Sequence, residues 1–407
     1  MLKNTNTPEI HLFIIWENAR VIEQKILDDI SVRFNILKVY EIHWNKKNFT
    51  QNLSRFYGTQ LPPNAKKEAH IGTNPFLAVI VEDQNPTYKT HTTSKGDKEV
   101  NSNLFLAKTT HREWTGGGHL IHGTNSPTET DHDLTLLFGK NTEDLVKTFG
   151  KPSRDIEIYK QDVVGADDWQ SLEQVLYVLN NTIDYVVLRN FDAIPDKYYA
   201  KDHGDIDMLV ADYKDAALTT NAKAVFAQNH RVYNEVIIKN EKVFFDFRNV
   251  GDNYYDPLWE IDILKRRVLN KKGFYVAAPE DFFYSLLYHA VIQKPKTGED
   301  YKARLIKLAS SVDIDLNEQS FSNGEAVRLL AGFLKKNKYV FTQPDDLSVY
   351  FHEDHIKIGV AAGAKFIKKR RTPLRNHLKR YKMLLKHYGA KSKRMVRGYF
   401  KKVSPKK

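Results

Sequence analysis

Asp205 and Asp207 stand one residue apart in HGDIDMLV, and Asp246 follows about forty residues on in the apolar run KVFFDFRNV. Alternate residues of a strand share a face, so a D-I-D strand projects both carboxylates from one sheet surface. Aliphatic and aromatic residues flank all three acids: Ile206, Met208, Leu209 and Val210 at the first site, Val243, Phe244, Phe245 and Phe247 at the second. Hard carboxylate oxygens converging from buried strands are the ligand set for Mg²⁺ or Mn²⁺. Such ions stabilise the attacking and leaving oxygens of an in-line displacement at phosphorus. That chemistry is mostly positioning and electrostatics, so cations should lie close to the acids. Arg248 shares a strand face with Asp246 and is the first candidate, and Arg189 at the end of the preceding strand is the second. The Lys265, Arg266, Arg267 cluster reads as a solvated helix end.

These residues resemble the polymerase-β-type nucleotidyltransferase superfamily, whose pattern is a strand, a small-residue turn, a D-h-[DE]-h strand and a later h-[DE]-h strand. The likeness covers roughly Trp169 to Leu305. It implies that Asp205, Asp207 and Asp246 hold Mg²⁺ and that the third acid helps deprotonate the attacking hydroxyl. The family's Gly-Gly or Gly-Ser turn reads LRNF here, Leu188 to Phe191. Two further stretches, RNVGDNYYDPLWEIDILKRR and YSLLYHAVIQKPKTGEDY, look like the branch that serves bacterial surface polysaccharides, with fukutin-type and choline-phosphate transferases as relatives. That likeness puts His289 and Lys294 beside Arg189 and Arg248 as candidates for binding substrate or phosphate. Helix packing accounts for Tyr288 and His289 equally well. The implied reaction moves an alditol phosphate or a nucleoside monophosphate from a nucleotide-linked donor, such as a CDP-alditol, to a hydroxyl of a glycan acceptor in capsule synthesis. Two alternatives stay open: nucleotide addition to nucleic acid, and a non-catalytic nucleotide-binding scaffold.

A second constellation lies upstream. HLIHGTNSPTETDHDLTLLFG, His119 to Gly139, resembles the active-site stretch of nucleoside diphosphate kinases, and the likeness extends over roughly Glu9 to Phe138. It implies that His122 carries a phosphoryl group, with Thr124 and Asp133 orienting it. The family's Lys-Pro-Asp after the first strand is Trp16, Glu17, Asn18 here, and its Arg-Asn before the Ile-Ile-His is Gly118, His119. The expectation is a fold relative with a repurposed site, since fold does not fix function. His111, His119, His122 and His132 match no zinc-binding spacing.

The elements that must position these groups are legible as periodicities. Strands are expected at Ile10–Trp16, Ile36–Trp44, Phe76–Val81, Tyr185–Arg189, Val232–Lys239 and Lys242–Val250. Helices are expected at Ala19–Arg33, Lys46–Tyr57, from Ser126, at Trp169–Leu179, Tyr213–Gln228 and across Glu299–Lys338. A turn-rich loop fills Asp83–Lys98, and an Asn240 turn makes a hairpin that brings Asp246 to the DID strand. Short strands are expected at Leu347–Phe351 and His355–Val360. The fold class is α/β (α+β): a ferredoxin-like, nucleoside diphosphate kinase-like domain at 1–139, a linker at 140–168, a nucleotidyltransferase-fold mixed sheet at 169–298, a mostly helical region at 299–360 and a basic tail at 361–407.

With 407 residues and 41% hydrophobic content the chain can bury several cores. Its net charge of +12 belongs to the tail: no acid follows Ala361, and eighteen of the 62 basic residues lie from Lys365 on, leaving 44 against 50 acids elsewhere. Pro373 to Tyr388 spaces Leu374, Leu378, Tyr381, Leu385 and Tyr388 among cations, a basic amphipathic helix. Such a helix suits an anionic membrane surface, at about 1 kcal/mol per basic residue. It equally suits nucleic-acid phosphates or docking on the protein itself. The acidic body favours the membrane. The absence of cysteine excludes disulfides and thiol chemistry. The start, MLKNTNTPEIHLFIIW, has no signal-peptide pattern, so the expected location is cytoplasmic, peripheral on the inner membrane face.

Overall fold

The computed structural model describes residues 3–4, 7–62, 65–93, 96–195, 205–226, 232–346 and 348–367. The tail helix expected at Pro373–Tyr388 lies outside them. The protein is mixed α/β with several sheets, and it divides into two units. The first comprises 1–184, 214–223 and 236–243, and the second 185–213, 224–235 and 244–407. Among the described residues no helix is long and apolar enough to cross a membrane.

In the first unit the chain runs β1 (Lys3–Asn4), β2 (Glu9–Ile15), α1 (Glu23–Arg33), β3 (Asn35–Ile42), α2 (Phe49–Phe56), α3 (Lys66–Ile71), β4 (Phe76–Asp83), β5 (Thr87–Thr93), β6 (Gly96–Asn101), α4 (Ser102–Trp114), β7 (Ile121–Gly123), α5 (Pro127–Phe138), α6 (Thr142–Val146), β8 (Ile156–Tyr159) and α7 (Leu172–Thr182). Its main sheet has the order β7-β2-β4-β3-β8. The first four strands are antiparallel and β8 adds parallel to β3. β4, FLAVIVED, is almost continuously buried, as a central strand covered on both faces must be. Helix α5 starts where Ser126 accepts from the Glu129 amide with Pro127 in the first turn, and it stops at left-handed Gly139. The stretch 140–168, expected as a linker, carries α6 and β8. The loop expected at Asp83–Lys98 is largely the β5–β6 hairpin, whose polar alternation hid it.

Arg55 on α2 is buried, and among the described residues no carboxylate pairs with it. It donates to the carbonyls of Val163 (3.4 Å), Val164 (2.6 Å), Leu218 (2.9 Å) and Thr219 (2.9 Å). Burial pushes its guanidinium down to about 9.

The chain continues with β9 (Tyr185–Val187), β10 (Ile206–Val210), α8 (Tyr213–Thr219), β11 (Lys223–Phe226), β12 (Val232–Ile238), β13 (Glu241–Asn249), α9 (Pro257–Arg266), β14 (Val268–Leu269), β15 (Tyr275–Val276), α10 (Pro279–Ile292), α11 (Glu299–Ala309), α12 (Glu318–Ser322), α13 (Glu325–Lys336), β16 (Val340–Thr342), α14 (Glu353–Ala361) and β17 (Lys365–Ile367). The sheet order is β11-β12-β13-β10-β9-β15-β14. α8 ends at Thr219, well short of the expected Gln228, and β11 follows. Lys239 and Asn240 both take positive φ (51° and 62°), the backbone of a tight hairpin turn. β10 pairs parallel with β13, Asp207 opposite Asp246, and antiparallel with β9.

The core of the second unit gathers Trp259, Phe283, Leu287, Tyr288, Leu330 and Phe333 from the helices around the sheet, with Tyr255 from the bend before α9. Tyr288 is wholly buried, and its hydroxyl donates to the Thr342 carbonyl (3.3 Å), so it belongs to packing. The strand expected at His355–Val360 is instead α14, with Glu353 and Asp354 in its first turn. At 348–351 there is no strand.

Candidate functional site

The two parallel strands β10 and β13 place the acids. Ile206, Met208 and Val210 alternate with Asp207 and Leu209, and Phe245 and Phe247 alternate with Asp246 and Arg248. Asp205, Asp207 and Asp246 each offer a carboxylate oxygen within 4.8 Å of the others. Asp207 and Asp246 are buried and Asp205 is half-buried. Two unit charges at that 4.8 Å separation repel by about 3 kcal/mol at an effective dielectric of 20, so the cluster needs counter-charge.

Two buried arginines supply part of it. Arg189 Nη2 donates to Asp207 Oδ1 and to the Tyr254 hydroxyl (3.0 Å). Arg248 Nη2 donates to Asp246 Oδ2 (2.6 Å), and its Nη1 donates to Asp346 Oδ2 (3.0 Å). Both guanidinium groups lie against the Tyr254 ring, 5.8 and 4.7 Å from its centroid. Burial works against the Arg189 charge, yet Asp207 and the surrounding phenols hold it well above its ordinary value. Arg248 is raised in the same way by Asp246. The arginines expected as phosphate ligands thus face the acids and fix their orientation.

Behind them runs a neutral relay. Tyr254 Oη lies 3.1 Å from His289 Nδ1, which lies 3.0 Å from Gln293 Oε1, and Gln293 Nε2 donates to the Tyr254 carbonyl (2.7 Å). Burial, with Arg189 and Lys294 adding like charge, holds the imidazole well below its ordinary value. Burial pushes the Tyr254 phenol up to about 12. A cavity of about 340 Å³ opens over the acids, with His289, Lys294, Tyr301 and Tyr350 on its walls. The sequence reading missed Tyr254, Gln293 and Asp346. Gln293 had a signal, since it follows His289 by four residues on one helix face; Tyr254 and Asp346 reach the site only through the fold.

In the first unit, His122 Nε2 meets Asp133 Oδ2 at 2.7 Å, and His132 Nδ1 meets Asp133 Oδ1 at 2.9 Å. Burial opposes the Asp133 charge, but the two imidazoles outweigh it and hold the carboxyl below its ordinary value. Glu129 completes a cluster within 4.8 Å. Thr124, expected to orient His122, is hydrogen-bonded to other groups. Its buried hydroxyl accepts from the Leu12 amide (3.1 Å) and from Thr130 (2.9 Å) and lies 3.2 Å from His11 Nδ1. His111 pairs with Asp29 (2.8 Å), so the four upstream histidines do not share one centre. No protein-family model matches the chain, and no curated protein matches it.

Proposed function

We propose that the protein is a Mg²⁺- or Mn²⁺-dependent phosphotransferase that moves an alditol phosphate or a nucleoside monophosphate from a nucleotide-linked donor, such as a CDP-alditol, to a hydroxyl of a glycan acceptor. The observation that carries this reading is the convergence of Asp205, Asp207 and Asp246 within 4.8 Å on adjoining parallel strands. Three hard oxygen donors and no cysteine anywhere in the chain fit Mg²⁺ or Mn²⁺. When bound, the cation would supply charge stabilisation at phosphorus. Arg189 and Arg248 hold two of the acids in place, Lys294 offers a cation to donor phosphates from the cavity wall, and Asp246 takes the role of proton acceptor for the attacking hydroxyl. The acceptor oxygen bonds to phosphorus, the donor's P–O anhydride bond breaks, the other half of the donor leaves with that oxygen (the nucleoside monophosphate when alditol phosphate is transferred, the alditol phosphate when the nucleoside monophosphate is), and the hydroxyl proton passes to the carboxylate. Membrane association through Pro373 to Tyr388 would bring a growing capsule glycan to this cavity.

The β7-β2-β4-β3 order supports a ferredoxin-like sandwich in the first unit, and the hydrogen bonding of Thr124 to other groups supports a repurposed site there. The test is incubation of the full chain with Mg²⁺ and a panel of radiolabelled nucleotides and CDP-linked donors, scoring label on lipid-linked glycan, on RNA and on the protein. Label on glycan that is lost in Asp205→Ala and Asp207→Ala is expected. No turnover or melting shift with any nucleotide rejects the reading. Label on RNA selects the nucleic-acid alternative, and label on the protein that disappears in His122→Ala reinstates the upstream site.

A further inference from the structure

Besides the three carboxylates and their arginines, the cavity over the acids is lined by His289, Tyr301 and Tyr350. His289 decides what these neutral groups can bind. Gln293 Nε2 is committed as a donor to the Tyr254 carbonyl, so Gln293 presents its Oε1 to the imidazole. An amide oxygen accepts, so Nδ1 carries the ring proton, and Tyr254 Oη shares it as a second acceptor. Nε2 is left as a lone pair, with no hydrogen bond to it among the described residues, on a residue that lines the cavity.

We propose that His289 Nε2 is the hydrogen-bond acceptor for a hydroxyl of an uncharged polyol or sugar, a specificity role that rests on the phosphotransferase reading. A phosphate oxygen brings a lone pair and is repelled by one. An ammonium group is disfavoured by Arg189 and Lys294, which face the same imidazole. A neutral hydroxyl can donate to Nε2, and the Tyr301 ring, which lines the same cavity with its centroid 5.6 Å from that of His289, supplies apolar surface for the C–H side of a polyol. The ring holds the hydroxyl without taking its proton, because burial and the two cations keep it neutral.

Two amide substitutions separate this role from a structural one. His289→Asn keeps a donor near Nδ1 and removes the acceptor at Nε2, whereas His289→Gln keeps a group able to accept near Nε2 and weakens the link to Gln293. Ribitol is the probe, read by imidazole ¹⁵N NMR of the histidine-labelled full chain, with His289 assigned by its loss in His289→Asn. A neutral ring protonated on Nδ1 is expected, with the Nε2 resonance moving on addition of ribitol and Nδ1 staying. Ribitol affinity, followed at a second reporter resonance of the cavity, falls about tenfold in His289→Asn, the worth of one hydrogen bond, and less than about threefold in His289→Gln. A proton on Nε2, an Nε2 signal unmoved by ribitol, or the reverse order of the two variants overturns the assignment. The phosphotransferase reading fails separately: a ribitol response that persists in a protein showing no metal- or nucleotide-dependent change leaves the hydroxyl site standing alone.

Discussion

Removing Asp207 and removing Asp205 should have different consequences, although both belong to one carboxylate cluster. Asp207→Ala takes the carboxylate from a buried arginine and leaves Arg189 leaning on Tyr254. Breaking a buried pair from one side costs about 3–5 kcal/mol. In a unit of about 200 residues each kcal/mol moves the midpoint by roughly 2–4 °C, so melting should fall by roughly 6–20 °C. Asp205 precedes β10 and is half-buried, so water screens its contacts and Asp205→Ala should cost about 1 kcal/mol or less without metal. Saturating Mg²⁺, at about a hundred times its dissociation constant, adds about 2.7 kcal/mol to the parent and nothing to either variant. Circular-dichroism melts in EDTA and in MgCl₂ read both effects. Equal melting of the two variants in EDTA would refute the counter-charge argument, and a Mg²⁺ shift retained in Asp205→Ala would refute the metal set.

Three further outcomes follow from features away from the acids. Asp252 and Glu260 share a side-chain hydrogen bond, and burial with mutual repulsion raises them to about 6 and about 8. Groups raised on folding stabilise fully below the ordinary carboxylate range and lose that contribution as pH rises from there through their folded values, so melting temperature should decline from pH ~4 to ~8; a flat or rising profile counts against the pair. Gly165 has φ +70° and an added Cβ would stand 2.2 Å from the Trp169 ring, so Gly165→Ala should cost at least about 2 kcal/mol in urea unfolding. Thr124→Val should cost about 1–3 kcal/mol by stranding the Leu12 amide while leaving donor turnover intact, and turnover that drops with stability unchanged would restore Thr124 to a site.

Local pattern carried the acids and little of their surroundings. Period-two alternation around Asp207 and Asp246, together with the Asn240 turn, was enough to put the two carboxylates on neighbouring strands. A serine cap located α5, and apolar spacing located α7, which starts at Leu172 behind its Ser171 cap and not at Trp169. Arg189 and Arg248 were legible as cations near the acids, but not as direct partners of Asp207 and Asp246, because only the strand geometry aims them there. Asp346, about a hundred positions after Arg248, carries no local mark at all. The apolar run at His355–Val360 fits a strand or a helix by composition, and the acids of its first turn with packing on α13 decide for helix. The β5–β6 hairpin was hidden for the opposite reason: its polar, largely exposed residues give no hydrophobic rhythm. β8, IEIY, does alternate, but over only four residues in a stretch otherwise read as a polar linker.

The cation at Arg55 ties the first half of the chain to residues that arrive much later in synthesis. A fragment ending between Val164 and Leu218 would retain that guanidinium and discard two of its four carbonyls. The first unit is therefore not a cassette that recombination could lift out in one piece. Any exchange of it between proteins must carry the later ribbon, 214–223, along with the opening sandwich.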